Sequence, residues 1–288
     1  MNTIFDDIKM QYKIGGIANK MIYWNVGIFL LSIVFFYNFK TAVFYYPSWI
    51  GLSSDPSVVL YRVWTLLTYA FFHNGFLHLF FNMMVLNFSS RLFLTFFTQK
   101  QYLALYLLSS IFAGMCFCAS FYLMNELSLL VGASAAIMAI LVATTTYQPL
   151  MEIRLLLVGT VKLWHITAVI LLLDLLQLKL ENTGGHIAHL SGAFFGFIFI
   201  QLLIRGIDLS KIVNSVIDFF ANLFIKNEAT PFKKVHVNRN KSYNSKQSRI
   251  IVKDKTQQQI DEILDKISHS GYDSLTVEEK EFLFKVGK

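Results

Sequence analysis

The sequence predicts an all-α membrane protein, a bundle of six transmembrane helices followed by a cytoplasmic tail. Three observations carry that expectation. The 288 residues are 55% hydrophobic with a mean hydropathy of +0.52, too apolar for a soluble domain of this size. Six windows of roughly 18 or more mostly apolar residues are long enough to cross a bilayer, where only helices and closed barrels satisfy their own backbone. The basic residues of the linkers also sort by side. Lys9, Lys13, Lys20, Arg91, Lys100, Arg154 and Lys162 stand against Lys40, Arg62 and Lys179, which with the basic tail puts both termini in the cytoplasm.

Taken in order, residues 1–20 form a cytoplasmic N-terminal segment. It carries Asp6, Asp7, Lys9 and Lys13 and no small-residue cleavage site, so the apolar run that follows is a retained span and not a removed signal. The membrane domain occupies 21–204, with spans near 21–39, 75–95, 103–124, 132–149, 163–180 and 186–204. Between the first two spans, residues 40–74 are rich in aromatics, among them Tyr45, Tyr46, Trp49 and Trp64, which favour the headgroup level. A structured loop lying partly in the outer leaflet, or an ordinary aromatic belt, fits that composition. Cys116 and Cys118 lie two apart in an apolar run, which supports packing and neither a disulfide framework nor a zinc knuckle.

Beyond the membrane domain, residues 205–255 read as an amphipathic stretch and then a basic, disordered linker. Residues 226–255 hold nine Lys or Arg against two acidic residues, a run that stays solvated beside an anionic leaflet. No nucleic-acid partner is expected. In 256–288, Ile260, Ile263, Leu264 and Ile267 recur at helical spacing, Gly271 breaks the helix, and Ser274 with Glu278 and Glu279 caps a second one. The expectation is a small helical hairpin that docks an unidentified cytoplasmic partner.

The candidate chemistry gathers at one depth, because spans two, four and six all begin at the outer face. Ser134 opens the fourth span within VGASAAIMAI, His78 and Asn82 lie in the first turns of the second, and His186 and His189 in the first turn of the sixth. A serine among residues that cannot help it ionise is either packing or a nucleophile awaiting a base. His189 is the candidate base, with His186 an orienting neighbour or a competing base. His78 and Asn82, four apart, project from one helical face. They either hydrogen-bond between helices or aim two donors at a developing oxyanion. The helix N-terminus at Ser134 adds positive potential and free N–H groups. Gly192 and Gly196 form a small face, and Ala135 and Ala139 offer its complement, so two helices meeting there bring Ser134 to His189. Asp174 is the only carboxylate near a third-member position. It is read as hydrogen-bonded near the interface, leaving a Ser-His dyad. No cofactor or metal is expected. Zinc or ion transport through His73, His78, His186 and His189 is an alternative, but no carboxylate or thiolate joins them.

The segments HNGFLHLFFNMM (73–84), GASA (132–135) and GGHIAHLSGAFFG (184–196) resemble, in order and placement, the rhomboid intramembrane serine proteases. The resemblance covers roughly residues 20–205. It implies a six-helix rhomboid-like bundle with Ser134 as nucleophile, His189 as base and His78 with Asn82 as oxyanion-hole side chains. Gly132, His186, Gly192 and Met138 would support them, and His73 would match a histidine of the first loop. Three positions depart from the family pattern: Ala135 replaces the glycine after the serine, Trp64 and Thr65 replace a Trp-Arg pair, and Met138 stands where some members carry a tyrosine under the histidine ring. The implied function is an intramembrane serine endopeptidase that cuts transmembrane segments of membrane-protein substrates through an acyl-enzyme; the cytoplasmic N-terminus and the lack of an Arg- and Ser-rich transit peptide suit a bacterial inner membrane. The alternative is an inactive relative that holds membrane clients without cutting them.

Overall fold

The first helix of the chain lies before any expected span and is set by its cap, not by an apolar run. In the computed structural model, which describes residues 3–156, 158–180, 182–224 and 255–286, helix α1 spans Ile4–Ile14. The Asp6 N–H donates to the Thr3 hydroxyl and the Thr3 N–H donates to the Asp6 carboxylate, so two orphan donors of the first turn are satisfied reciprocally. Helix α2 follows at Ile17–Phe36. Residues 37–71 then fold into short elements: a hairpin of β1 (Tyr37–Asn38) and β2 (Val43–Phe44), strand β3 (Leu52–Ser53), helices α3 (Pro56–Tyr61) and α4 (Thr65–Thr68), and a 3-10 turn over Tyr69–Phe71.

The bundle continues with α5 (Phe76–Phe96), α6 (Gln99–Met124), strand β4 (Leu129–Leu130) and α7 (Ser134–Tyr147). A hairpin of β5 (Glu152–Leu155) and β6 (Gly159–Lys162) leads into α8 (Leu163–Gln177), α9 (Thr183–Ile204) and α10 (Ser210–Phe224). Among the described residues four helices, α2, α5, α6 and α9, are long and apolar enough to cross a membrane. The expectation of six windows of 18 or more residues is corrected at α7 and α8, which have 14 and 15. Fourteen residues make a helix about 21 Å long, against a hydrocarbon core of about 30 Å. The causes are local. Gly132 has φ +136 and lies outside the helix, and Gln148, ahead of Pro149, leaves the helical region at φ −132 and ψ 70. On the other flank, the β5–β6 hairpin uses the residues up to Lys162.

Helix α7 sits at the centre. It is apolar on every face, and each residue from Ala135 to Thr144 is buried, packed by α9, α5 and α6. The irregular backbone leading into it, from Leu130 to Ala133, is enclosed by protein, a setting in which it is tolerated at membrane depth, whereas the other end is exposed from Tyr147 onward. The closest approach is to α9. A Cβ on Gly192 would overlap the carbonyl of Ala135, and one on Gly196 the carbonyl of Ala139.

The outward faces of the other helices carry large apolar side chains, such as Leu30 and Val34 of α2, Phe76 and Phe80 of α5 and Leu172 and Leu176 of α8. That much exposed apolar surface is a liability in water and is matched by lipid. The chain is an integral membrane protein. At one end of the bundle the Ile17 N–H donates to Gln99 Oε1 (3.1 Å) and Gln101 Nε2 to Asp208 Oδ2 (3.4 Å), joining the starts of α2 and α6 to the chain after α9. Helix α10 exposes Ile212, Val216, Phe219, Phe220 and Leu223 at helical spacing on one face.

The chain divides into two units, Met1–Lys226 and Asn227–Lys288. In the second, α11 (Lys255–Ser270) and α12 (Val277–Val286) are joined across Gly271, whose φ of +77 ends α11, and by a Lys266–Glu279 ion pair at 2.9 Å. The second helix is capped at Thr276 and not at Ser274: the Glu279 N–H donates to the Thr276 hydroxyl and the Thr276 N–H to the Glu279 carboxylate. The basic stretch 226–255, expected as a linker, lies outside the described residues but for Lys255, the first residue of α11.

Candidate active site

The turn that presents Ser134 is built from three separate parts of the chain. Strand β3 pairs with β4, Leu52 opposite Leu130 and Ser53 opposite Leu129, so the first loop holds the segment leading to Gly132. The Gly132 N–H donates to the Tyr69 carbonyl (3.0 Å), and the buried Tyr69 hydroxyl donates to the Ser110 carbonyl of α6 (2.9 Å). Gly132 needs to be glycine for two reasons. Its φ of +136 disfavours any side chain, and a Cβ there would lie 3.1 Å from His78 Cε1 and 3.5 Å from Ser134 Oγ. His78 and Ser134 thus flank the same point. Ser134 is the first residue of α7, and no side chain caps that helix start.

His78 lies in the first turn of α5. Its Nδ1 accepts from the Asn74 N–H (3.4 Å), which leaves Nε2 as the protonated nitrogen, on the side facing Gly132. His73 stands edge-on to that ring at 5.1 Å; burial first, and the His78 ring second, push its imidazole down to about 3, so it is neutral. One turn after His78, Asn82 is buried, and its Nδ2 has no hydrogen-bond partner among the described residues. An unsatisfied buried amide donor costs roughly 1–3 kcal/mol, and here it borders a cavity.

That cavity, of about 300 Å³, is lined by Asn82, Ser134, Met138, Asp174 and His189. Its walls are Phe81 and Val85 of α5 and Ile170, Leu173 and Gln177 of α8. Met138 also packs with Val142, Ala193 and Ile170. His186 and His189 project from the same side of α9, His186 in its first turn and His189 in its second. His186 does not line the cavity.

One expectation, that no carboxylate joins the histidines, is corrected here. Asp174, read as hydrogen-bonded near the interface, places Oδ1 2.7 Å from His186 Nδ1 and 2.8 Å from His189 Nδ1. The carboxylate that neither the dyad nor the transport alternative included therefore touches both imidazoles. Three groups within 4.8 Å invite a metal reading. The spacing argues for hydrogen bonds instead, because ligands held about 2.0–2.2 Å from zinc stand about 3.3 Å from one another.

The first loop, whose anchoring the Trp64-Thr65 departure put in question, is held by other bonds. Trp64 Nε1 donates to the Trp49 carbonyl (2.9 Å), Thr65 Oγ1 to the Arg62 carbonyl (2.7 Å), and the Arg62 guanidinium to the Ser48 hydroxyl. The arginine that ties the loop is three positions upstream of Thr65.

Fold and site together define an integral membrane protein with a small, mostly apolar cavity in its helical bundle that is bordered by a few polar side chains. Residues 61–206 match the Rhomboid domain, and the chain belongs to the rhomboid family, whose members are generally serine proteases acting within membranes. Residues 242–286 match a family of unknown function (DUF6576). No curated protein matches the chain at a significant level.

Proposed function

We propose that this chain is an active intramembrane serine endopeptidase that hydrolyses peptide bonds in or near transmembrane segments of other membrane proteins. The observation that carries the reading is the cavity: Ser134, His189 and the unpartnered Asn82 amide border one space inside an apolar bundle. In the reaction, Ser134 Oγ attacks the scissile carbonyl carbon while its proton passes to His189 Nε2. The Asn82 Nδ2–H and His78 Nε2–H donate to the oxyanion. Collapse breaks the C–N bond, and His189 returns the proton to the leaving amine. Water then attacks the acyl ester, gives a proton to His189, and releases Ser134 with its hydroxyl restored.

The substrate segment reaches Ser134 between α5 and α8, whose apolar side chains form the cavity walls, and water reaches it from the end of the bundle where α5, α7 and α9 begin. All six apolar helices count as spans in this reading, the two short ones being completed by the turns at their ends. Both termini then lie in the cytoplasm, the membrane is a bacterial inner membrane, and α10 rests its apolar face on the inner surface. The α11–α12 hairpin takes a cytoplasmic partner.

The test is labelling of purified protein by a fluorophosphonate probe, with mapping of the labelled residue, alongside cleavage of a model transmembrane substrate. Labelling at Ser134, and loss of both labelling and cleavage in folded Ser134→Ala and His189→Ala variants, is the expected result. Equal cleavage by parent and variants, or a parent that does not label, overturns the reading in favour of a binder that holds membrane clients.

A further inference from the structure

Asp174 is an unusual residue for its helix. Of the fifteen residues of α8, only Leu163, Thr167 and Asp174 are buried, and they fall on one face. The helix otherwise turns Val169, Leu172, Leu173, Leu175 and Leu176 outward. An ionisable group on the buried strip of such a helix is costly to keep without partners. It has two, on the same helix and on the same oxygen.

Those bonds fix proton positions. An ionised carboxylate only accepts, so His186 and His189 each donate an Nδ1–H to Asp174 Oδ1. Nε2 of each ring is left with its lone pair. For His189, whose ring borders the cavity with Ser134, that is the tautomer a base needs, and the carboxylate behind the ring stabilises the imidazolium formed when the proton arrives. His186 does not border the cavity, and its N–H on the same oxygen holds the carboxylate in place from a second direction. Resting on the reading of Ser134 and His189 as nucleophile and base, we propose that Asp174 is the positioning residue of a Ser134-His189-Asp174 triad, carried by α8 and secured by His186.

A purely structural tie between α8 and α9 is the rival explanation, and the charge separates the two. Asn keeps the size of Asp and an oxygen acceptor but loses the charge, and an amide turned to present Nδ2 would select the wrong tautomer of His189. The experiment uses the full chain in proteoliposomes with a model transmembrane substrate, reading kcat, KM, fluorophosphonate labelling and melting temperature. For Asp174→Asn the expected result is a fall in kcat of about 10²- to 10⁴-fold, with KM within about twofold and melting within a few degrees of the parent. Labelling slows in step. In Asp174→Ala, added formate should restore kcat at least about tenfold without moving the melting temperature, because it supplies a charge and not a helix tie.

With a parent that labels at Ser134, kcat of Asp174→Asn within about threefold of the parent overturns the triad and leaves the protease reading intact. If Asp174→Asn does not fold, the formate arm decides: recovery supports the triad and no recovery overturns it. Loss of folding in both variants assigns Asp174 to the structure alone and also overturns it. A parent that neither labels nor cleaves removes the protease reading and the triad together.

Discussion

At the scale of single residues, Gly132 is the position where backbone and site are hardest to separate. Gly132→Ala puts a Cβ on a residue at φ +136 and within 3.1 Å of the His78 ring. Strain of that kind costs about 1–3 kcal/mol, and the ring must shift to admit the methyl. The expected outcome is slower fluorophosphonate labelling than the parent, together with a lower melting temperature; unchanged labelling would mean that His78 has room to spare. Ser134, His189, His78 and Asn82 were legible in the sequence because each lies near the start of an apolar run, and common depth is enough to group them. Asp174 was not. Depth says how high a residue sits on a helix, whereas its contacts depend on which face turns inward, and the nearly all-apolar α8 offers little pattern from which to read that face. The unpartnered amide of Asn82 was equally hidden, since whether a donor finds a partner depends on neighbours from other helices.

Among the elements, the α7–α9 contact is the tightest in the bundle and the most exposed to small changes. Gly192→Ala places a methyl group against the Ala135 carbonyl, one residue from Ser134, so the helices must part. Overpacking of this kind costs about 1–3 kcal/mol. Melting temperature and labelling should fall together in this variant, unlike the Asp174→Asn case; parent-like values for both would show that the two backbones are less closely apposed than drawn. This contact was readable from Gly192 and Gly196 beside Ala135 and Ala139, because small residues at that spacing have few other uses in an apolar helix. The short strands were not readable. A two-residue strand such as β4 has no periodicity of its own, and its partner, β3, lies across four intervening helices, α3 to α6. Helix α1 has a fainter signature: Thr3 and Asp6 carry the capping signal, but Asp6, Asp7, Lys9 and Lys13 keep the segment from standing out as an apolar run.

At the scale of the whole molecule, every residue that borders the cavity lies between Phe81 and His189, within the first unit. Removing residues 242–288 should therefore leave fluorophosphonate labelling of the purified, inserted protein at the parent rate, and a marked loss would give the second unit a part in the site. Class and architecture followed from composition and apolar windows, while the lengths of α7 and α8 did not, because an enclosed helix such as α7 need not be long enough to cross a bilayer by itself. The pairing of Leu52 with Leu130 has a further bearing on biosynthesis. A chain emerging from the ribosome can complete α5 and α6 as independent insertions. The turn before Ser134, however, has no template until residues 52 and 69 have folded back to meet 130 and 132, and His189 comes later still. The site is thus complete only when segments from the first loop, from the start of α7 and from α9 have all come together.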